Sequence, residues 1–264
     1  MPTPLRARDG NTVTLHGGRL WEVTPWMLGL PDVTPRVSDD RLAAIWRALA
    51  AFHAALFKQG PLGGVYYAPR IASPALAERR KKLDDVEAVG LADLRNSPVP
   101  DAWRSVVAQR DEYVQLFPTA VRLVRHAITA AADDPVELAV CIRDIRREHI
   151  LFTNHSVSGW VDFGAVALEN PAIDMARILG EFCEDRRAEW PSLLTPYEEA
   201  CRGTPLPGVS FHLIDAFDQS GVLLAPWNWL RWLLLEGREF TDRRAVTERL
   251  ELLMRRLRRL VETA

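Results

Sequence analysis

The chain has 264 residues, 48% of them hydrophobic and 26% charged, with a formal charge of −2. That composition belongs to a folded globular chain and excludes disordered and fibrous classes. The near-neutral balance excludes a dedicated nucleic-acid or membrane-surface binder, whose charge would be clearly positive. Thirty arginines stand against three lysines, Lys58, Lys81 and Lys82. Cys141, Cys183 and Cys201 lack C-x-x-C spacing and are expected as reduced thiols. The opening MPTPLRARDGNTVTLHGG has no apolar core of a signal peptide. The most hydrophobic stretch, 221–235, contains Pro226, Asn228 and Arg231 and is too short to span a bilayer. A cytoplasmic location is the expectation.

In chain order, TVTLH and RLWEVTPW flank Gly17-Gly18, which predicts a β-hairpin. LGLPDVTPRVSDD reads as a linker. Leu42, Ile45, Leu49, Phe52 and Leu56 then recur at helical spacing, with Ser38 or Asp39 as N-cap and Gly60 as the stop. Residues 60–75, with Gly60, Gly63, Gly64 and three prolines, are expected as a loop. Helices follow from Ala75 to about Leu94, from Ala102 to Leu116 with a break at Pro118, and on to about Ala132. The texture changes at 136, where VELAVCIRDI, HILFTN and VSGWVDFG are short strand-like runs divided by polar turns. After Pro171 the pattern is helical to the end, and Val246, Leu250, Leu253, Leu257 and Leu260 form an apolar stripe on the last helix. Arg255, Arg256, Arg258 and Arg259 on that helix, balanced by nearby acids, read as a solvated face.

Chemistry is expected in the segment 136–163, because loops fixed by short strands are where polar groups converge. Asp144 and His149 lie five apart on a turn between two strands, and Asp162 ends the next strand just before Phe163-Gly164. A hairpin would bring the three to one mouth, where one carboxylate accepts a proton while the other and the imidazole hold a metal. On spacing alone an ordinary reading stands beside this one: two turn aspartates and a histidine that merely starts a strand.

IRDIRREHILF, WVDFG and NPAIDMARIL together resemble the catalytic core of the aminoglycoside phosphotransferase and choline kinase family, which has the protein-kinase-like fold. The family pattern reads H-G-D-x-x-x-x-N-I-L-F, then I-D-F-G or I-D-W-G, then D-P-A-x-D-L-A. The resemblance implies an α+β, predominantly helical fold: a kinase-like large lobe with a short N-terminal hairpin stub and a small catalytic hairpin insert. It implies Asp144 as the base that takes the proton of the attacking hydroxyl, and Asp162 as the acid that holds magnesium against the nucleotide phosphates. Asp174 would brace the catalytic loop. GGRLWEVTPWMLG is similar to the hinge strand, where backbone groups of Glu22, Val23 and Thr24 would meet adenine. RALAAFHAALF is similar to the first large-lobe helix, with His53 packed or half-exposed. GVLLAPWNWLRWLLLEGREF is similar to the closing helices, with Trp227, Trp229 and Trp232 in the core or lining an acceptor pocket.

The pattern has departures. Ile142 stands where the family has His, and His149 where it has the Asn that holds a second magnesium; an imidazole is a softer ligand that favours manganese or zinc. Arg143, Arg146 and Arg147 surround the base and either clamp phosphate oxygens or form a solvated loop. Before the hinge-like segment no G-x-G-x-x-G can be written, and no lysine precedes Lys58, so a covering loop and a strand lysine are expected to be missing. Residues 1–30 then read as a small-lobe remnant with the hinge-like strand, and 31–264 as the large lobe with its catalytic region at 136–164. Either natural truncation or a displaced start accounts for that.

The expected function is ATP-dependent phosphorylation of a small-molecule hydroxyl, on an aminoglycoside, a choline-like alcohol or a sugar. It would use Mg2+ or Mn2+, act on no nucleic acid or membrane, and be impaired by the missing loop and lysine. The alternative from another class is a non-catalytic, pseudokinase-type binding module.

Overall fold

The structure, a computed structural model, describes residues 2–34, 36–59, 70–132, 135–204 and 206–263. The glycine loop expected from residue 60 lies outside the described residues up to 69, as does the side chain of Lys58.

Strands β1 (Thr14–His16) and β2 (Arg19–Trp21) form the expected antiparallel hairpin. Gly17 and Gly18, both at positive φ, make its turn, a conformation open to glycine at no steric cost. Strand β3 (Leu30–Pro31) follows. Helix α1 (Asp39–Gln59) starts at Ser38, whose carbonyl accepts from Leu42 N at 2.9 Å and whose hydroxyl accepts from Arg41 N at 3.4 Å. Its face Leu42, Ile45, Trp46, Leu49 is buried. Strand β4 is Arg70–Ile71. Helix α2 (Pro74–Asp85) begins with proline inside its first turn, and Ser73 Oγ accepts from Leu76 N at 3.1 Å, an N-terminus built from side-chain capping and a missing N–H. A π-helical turn, Val86–Gly90, joins it to helix α3 (Leu91–Asn96).

Pro118 does not break the next helix. A tight 3-10 turn at Asp101–Val106 leads into one continuous helix, α4 (Val107–Ala132), with Pro118 inside it. The buried stripe Tyr113, Phe117, Ala120, Val121, Val124 and Ile128 runs on both sides of the proline. Packing of that stripe outweighs the one hydrogen bond a proline removes.

Strands β5 (Val136–Glu137), β6 (Ala139–Cys141), β7 (Ile150–Thr153) and β8 (Ser156–Trp160) follow where the sequence placed strand-like runs. Strand β9 (Ala167–Glu169), three residues long, carries too little pattern to be read beforehand. The sheets are small: β1 with β2, β4 with β5, β6 with β9, and β3-β7-β8. Helices α5 (Ala172–Phe182), α6 (Trp190–Leu193), α7 (Thr195–Ala200), α8 (Phe211–Leu230) and α9 (Arg243–Glu262) complete the chain, with a π-helical turn, Arg231–Leu235, closing α8. The fold is α+β and predominantly helical.

The chain forms two compact units. The first comprises residues 1–67, 139–168 and 177–206 and holds the hairpins and α1; Ile45, Trp46, Ile150 and Trp190 are among its buried residues. The second comprises 68–138, 169–176 and 207–264, with a core that includes Leu76, Tyr113, Phe117, Phe217 and Leu250. In the second unit Val246, Leu250, Leu253 and Leu257 bury the stripe expected on the last helix. Among the described residues no helix is long and apolar enough to cross a membrane.

Candidate active site

The site grows out of the loop between β6 and β7, in the first unit. Ile142 and Ile145 are buried on either side of Asp144 and pin the loop by hydrophobic burial. Between them Arg143 takes a φ of +68°, and Asp144 N donates to Ile142 O at 2.9 Å, closing a three-residue γ-turn. A left-handed conformation at a β-carbon-bearing residue costs about 1–3 kcal/mol and persists where its surroundings enforce it.

Both carboxylate oxygens of Asp144 are engaged. Arg177 NH2 of α5 stands 2.7 Å from Oδ1, Arg146 NH2 lies 2.9 Å from Oδ2, and Arg146 Nε is 3.4 Å from Oδ1. Burial works to raise the pKa of Asp144, but the charges of Arg177 and Arg146, the Arg146 hydrogen bond and the charge of His149 together hold it below its ordinary value.

His149 sits at the end of a 3-10 turn, Arg147–His149, and is buried. Its Nδ1 lies 2.9 Å from the carbonyl oxygen of Asp144. A carbonyl only accepts, so Nδ1 carries the proton, and in the neutral ring the lone pair belongs to Nε2. That Nε2 faces Asp162 Oδ2 at 3.6 Å. Val161 N donates to His149 O at 2.9 Å, fastening the histidine to the chain that leads into Asp162. Asp162 has a φ of +64° and its Oδ1 accepts from Gly164 N at 3.3 Å, while Phe163 stacks on Phe52 of α1. Two donors on neighbouring octahedral positions of a cation, with bonds near 2.1 Å, lie about 3.0 Å apart, closer than this pair stands. An imidazole nitrogen and a carboxylate oxygen are both ligand atoms for divalent cations, the nitrogen the softer of the two.

The structure thus gathers Asp144, His149 and Asp162, as the spacing allowed. It places Glu22, Val23 and Thr24 exposed, directly after β2. Val23 O accepts from Leu5 N at 2.8 Å, and among the described residues no hydrogen bond ties these three to Asp144 or Asp162. Asp174 lies fully buried in the first turn of α5. His53 is a packed residue, fully buried, with Nδ1 2.9 Å from Tyr197 Oη. The arginines around the base divide. Arg146 faces Asp144, whereas Arg147 donates to Thr34 O at 2.7 Å and Glu181 O at 2.9 Å and lies over the Phe182 ring. Arg177, 33 positions from Asp144 in the chain, escapes a reading by motif, because no local pattern marks it.

The strand, the γ-turn and the hairpin bring an aspartate, a histidine and a second aspartate together in the first unit of this α+β, predominantly helical fold. Solved structures share this fold. The AMP-bound spectinomycin phosphotransferase aligns with a TM-score of 0.60 at 12% identity, covering 96% of this chain and 78% of that one. A macrolide 2′-phosphotransferase from Brachybacterium faecium aligns at 0.51 and 16%, covering 92% and 72%. The choline kinase LicA from Streptococcus pneumoniae aligns at 0.51 and 13%, covering 92% and 73%. The model of the phosphotransferase enzyme family matches residues 1–200, and the chain belongs to that family. No curated protein sequence matches it.

Proposed function

We propose that this chain transfers the terminal phosphoryl group of ATP, or another nucleoside triphosphate, to a hydroxyl of a small molecule in the cytoplasm. The observation that carries the reading is the convergence of Asp144, His149 and Asp162 on one loop and hairpin. Asp144 orients the acceptor hydroxyl and takes its proton as the oxygen–phosphorus bond forms and the bond to the departing nucleoside diphosphate breaks. Asp162 and the Nε2 of His149 are the groups to hold a magnesium or manganese ion. When bound, that ion supplies neutralisation of phosphate charge. His149 also fixes the Asp144 backbone through its Nδ1–H, so one side chain couples the metal-holding acid to the base. Backbone groups of Glu22 to Thr24 meet the adenine, with residues 1–30 as the small-lobe remnant and 31–264 as the large lobe around 136–164. The relatives named for spectinomycin, macrolides and choline support an alcohol-bearing small molecule as acceptor.

A second reading, a non-catalytic nucleotide- or ligand-binding module, is favoured by the clamp on Asp144. A carboxylate with both oxygens on guanidinium groups and a lowered pKa is a weak base. The two readings separate experimentally. Thermal unfolding followed with ATP plus Mg2+ or Mn2+ is expected to shift upward in the wild type and to lose the shift in Asp162→Ala; no shift with either metal removes both nucleotide readings. Release of ADP in the presence of spectinomycin, a macrolide or choline, lost in Asp144→Asn while the nucleotide shift persists, establishes turnover. A nucleotide shift without turnover on any acceptor selects the binding module.

A further inference from the structure

In the second unit, α2 and α8 lie side by side. Arg79 of α2 donates to Ser220 Oγ at 2.6 Å and its guanidinium lies over the Phe217 ring. One turn further along, Lys82 Nζ donates to Asn228 Oδ1 at 2.6 Å. Lys82 is half-buried and, among the described residues, forms no ion pair; its single acceptor is a neutral amide. An ammonium has three donors to satisfy, and a charge removed from water is costly unless it is paired. The surroundings add to that cost. Burial first, then the charge of Arg231, lower the pKa of Lys82; Glu78 pulls the other way, by more than the remaining contribution of Arg79.

The remaining groups have the complementary polarity. Asn228 is oriented by the Lys82 bond, which uses its oxygen and leaves its amide N–H2 as a donor; among the described residues that nitrogen donates to none. Arg231 stands 3.0 Å from Glu236 through Nε, close in distance yet out of hydrogen-bond alignment, and among the described residues its terminal nitrogens make no hydrogen bond. Arg231 opens the π-helical turn Arg231–Leu235, and α2 ends in the π-helical turn Val86–Gly90. Such turns are rare and recur at functional sites, where they re-aim side chains. Both helices that frame Lys82 carry one.

We infer that the seam between α2 and α8 is an anion site, in which Lys82, the amide nitrogen of Asn228 and Arg231 receive a carboxylate or phosphate group of a small molecule. The site lies wholly in the second unit and is independent of the reading of Asp144 and Asp162. Lys82 Nζ, the Asn228 amide nitrogen and the Arg231 guanidinium are all donors, so a ligand that engages the three must bring the acceptors, and an anionic oxygen group is the chemistry that does so.

The test uses the full chain and two probes, inorganic phosphate and acetate, titrated by calorimetry and by thermal unfolding against chloride at matched ionic strength. The chloride reference removes general salt screening. Saturable binding of at least one probe is expected, weakened tenfold or more in Lys82→Met and kept in Lys82→Arg and in Asp162→Ala. Phosphate binding without acetate binding identifies a phosphoryl group as the ligand, and the reverse a carboxylate. Should Lys82→Met fail to fold, Asn228→Asp serves: it places a carboxylate on Lys82, and is expected to raise the melting temperature in chloride while abolishing probe binding. The inference is overturned if neither probe saturates the wild type, or if binding survives Lys82→Met or Asn228→Asp. It is overturned equally if binding disappears in Asp162→Ala, which would put the anion at the nucleotide site instead.

Discussion

Arg177 decides how Asp144 behaves. Its guanidinium is 2.7 Å from Oδ1, while Arg146 takes Oδ2 from within the same loop. Arg177 touches no reacting atom in the proposed chemistry and is a positioning residue: it orients the carboxylate and keeps it ionised. In Arg177→Met the strongest of the charges that lower the Asp144 pKa is gone, so that pKa rises. The acid limb of the pH–rate profile should then move to higher pH. With the carboxylate less well oriented, kcat should also fall about 10- to 100-fold. Stability follows the same sign. A depressed folded-state pKa stabilises above the unfolded value and is lost as pH falls through the folded one. The difference in melting temperature between wild type and Arg177→Met should therefore be present at pH 7 and shrink as the pH drops below about 4. A variant whose acid limb stays in place, with only a lowered melting temperature, would assign Arg177 a purely structural role.

At the scale of elements, the approach of the N-terminal segment to the catalytic hairpin depends on one backbone position. Gly29 has a φ of +108°, and a Cβ there would lie 2.2 Å from Ser158 Oγ and 2.8 Å from the carbonyl of Phe152. The neighbouring pairs Leu30 with Phe152 and Pro31 with Leu151 attach β3 to β7, and Ser158 Oγ donates to Leu28 O at 2.7 Å. Gly29→Ala introduces both a strained φ and a clash with backbone, so a loss of about 2–4 kcal/mol is expected, from the strain of the conformation with overpacking added. Urea unfolding checks it: a lower midpoint with an unchanged slope is expected, and an unchanged midpoint would mean that β3 does not hold this geometry in solution. Elements of this kind also mark what a sequence discloses. The strands at 139–160 and the stripe of α9 were legible because alternation and 3-4 spacing are local signals. Asp144, His149 and Asp162 were legible as a group because loop and hairpin are contiguous in the chain. Pro118 misled, because breaking power is a local property and burial of α4 on both sides of it is not. Arg177, and the partnership of Lys82 with Asn228 across 146 positions, depend on packing between distant helices, for which a single sequence carries no periodic signal.

At the scale of the whole chain, the boundary between the two compact units runs through continuous secondary structure. Helix α5 gives residues 172–176 to one unit and 177–182 to the other. Asp174 and Arg177 thus stand three residues apart on one helix and belong to different units. Melting either unit alone would leave half of α5 without its buried face, and an isolated helix of that length is marginal in water. The chain should therefore unfold as one cooperative unit, with equal calorimetric and van't Hoff enthalpies. Ligands then act on the same transition wherever they bind. A nucleotide with its metal, held by groups of the first unit, and an anion on the seam in the second should each move the single peak upward without splitting it. Present at 100 times its dissociation constant, either contributes about 2.7 kcal/mol. Applied together, their contributions should sum, because each binds the folded chain and neither the unfolded one. Differential scanning calorimetry with phosphate, with ATP and metal, and with both reads this directly. Two resolved transitions, or a shift confined to part of the enthalpy, would show that α5 does not couple the units and that each must be treated as a separate thermodynamic domain.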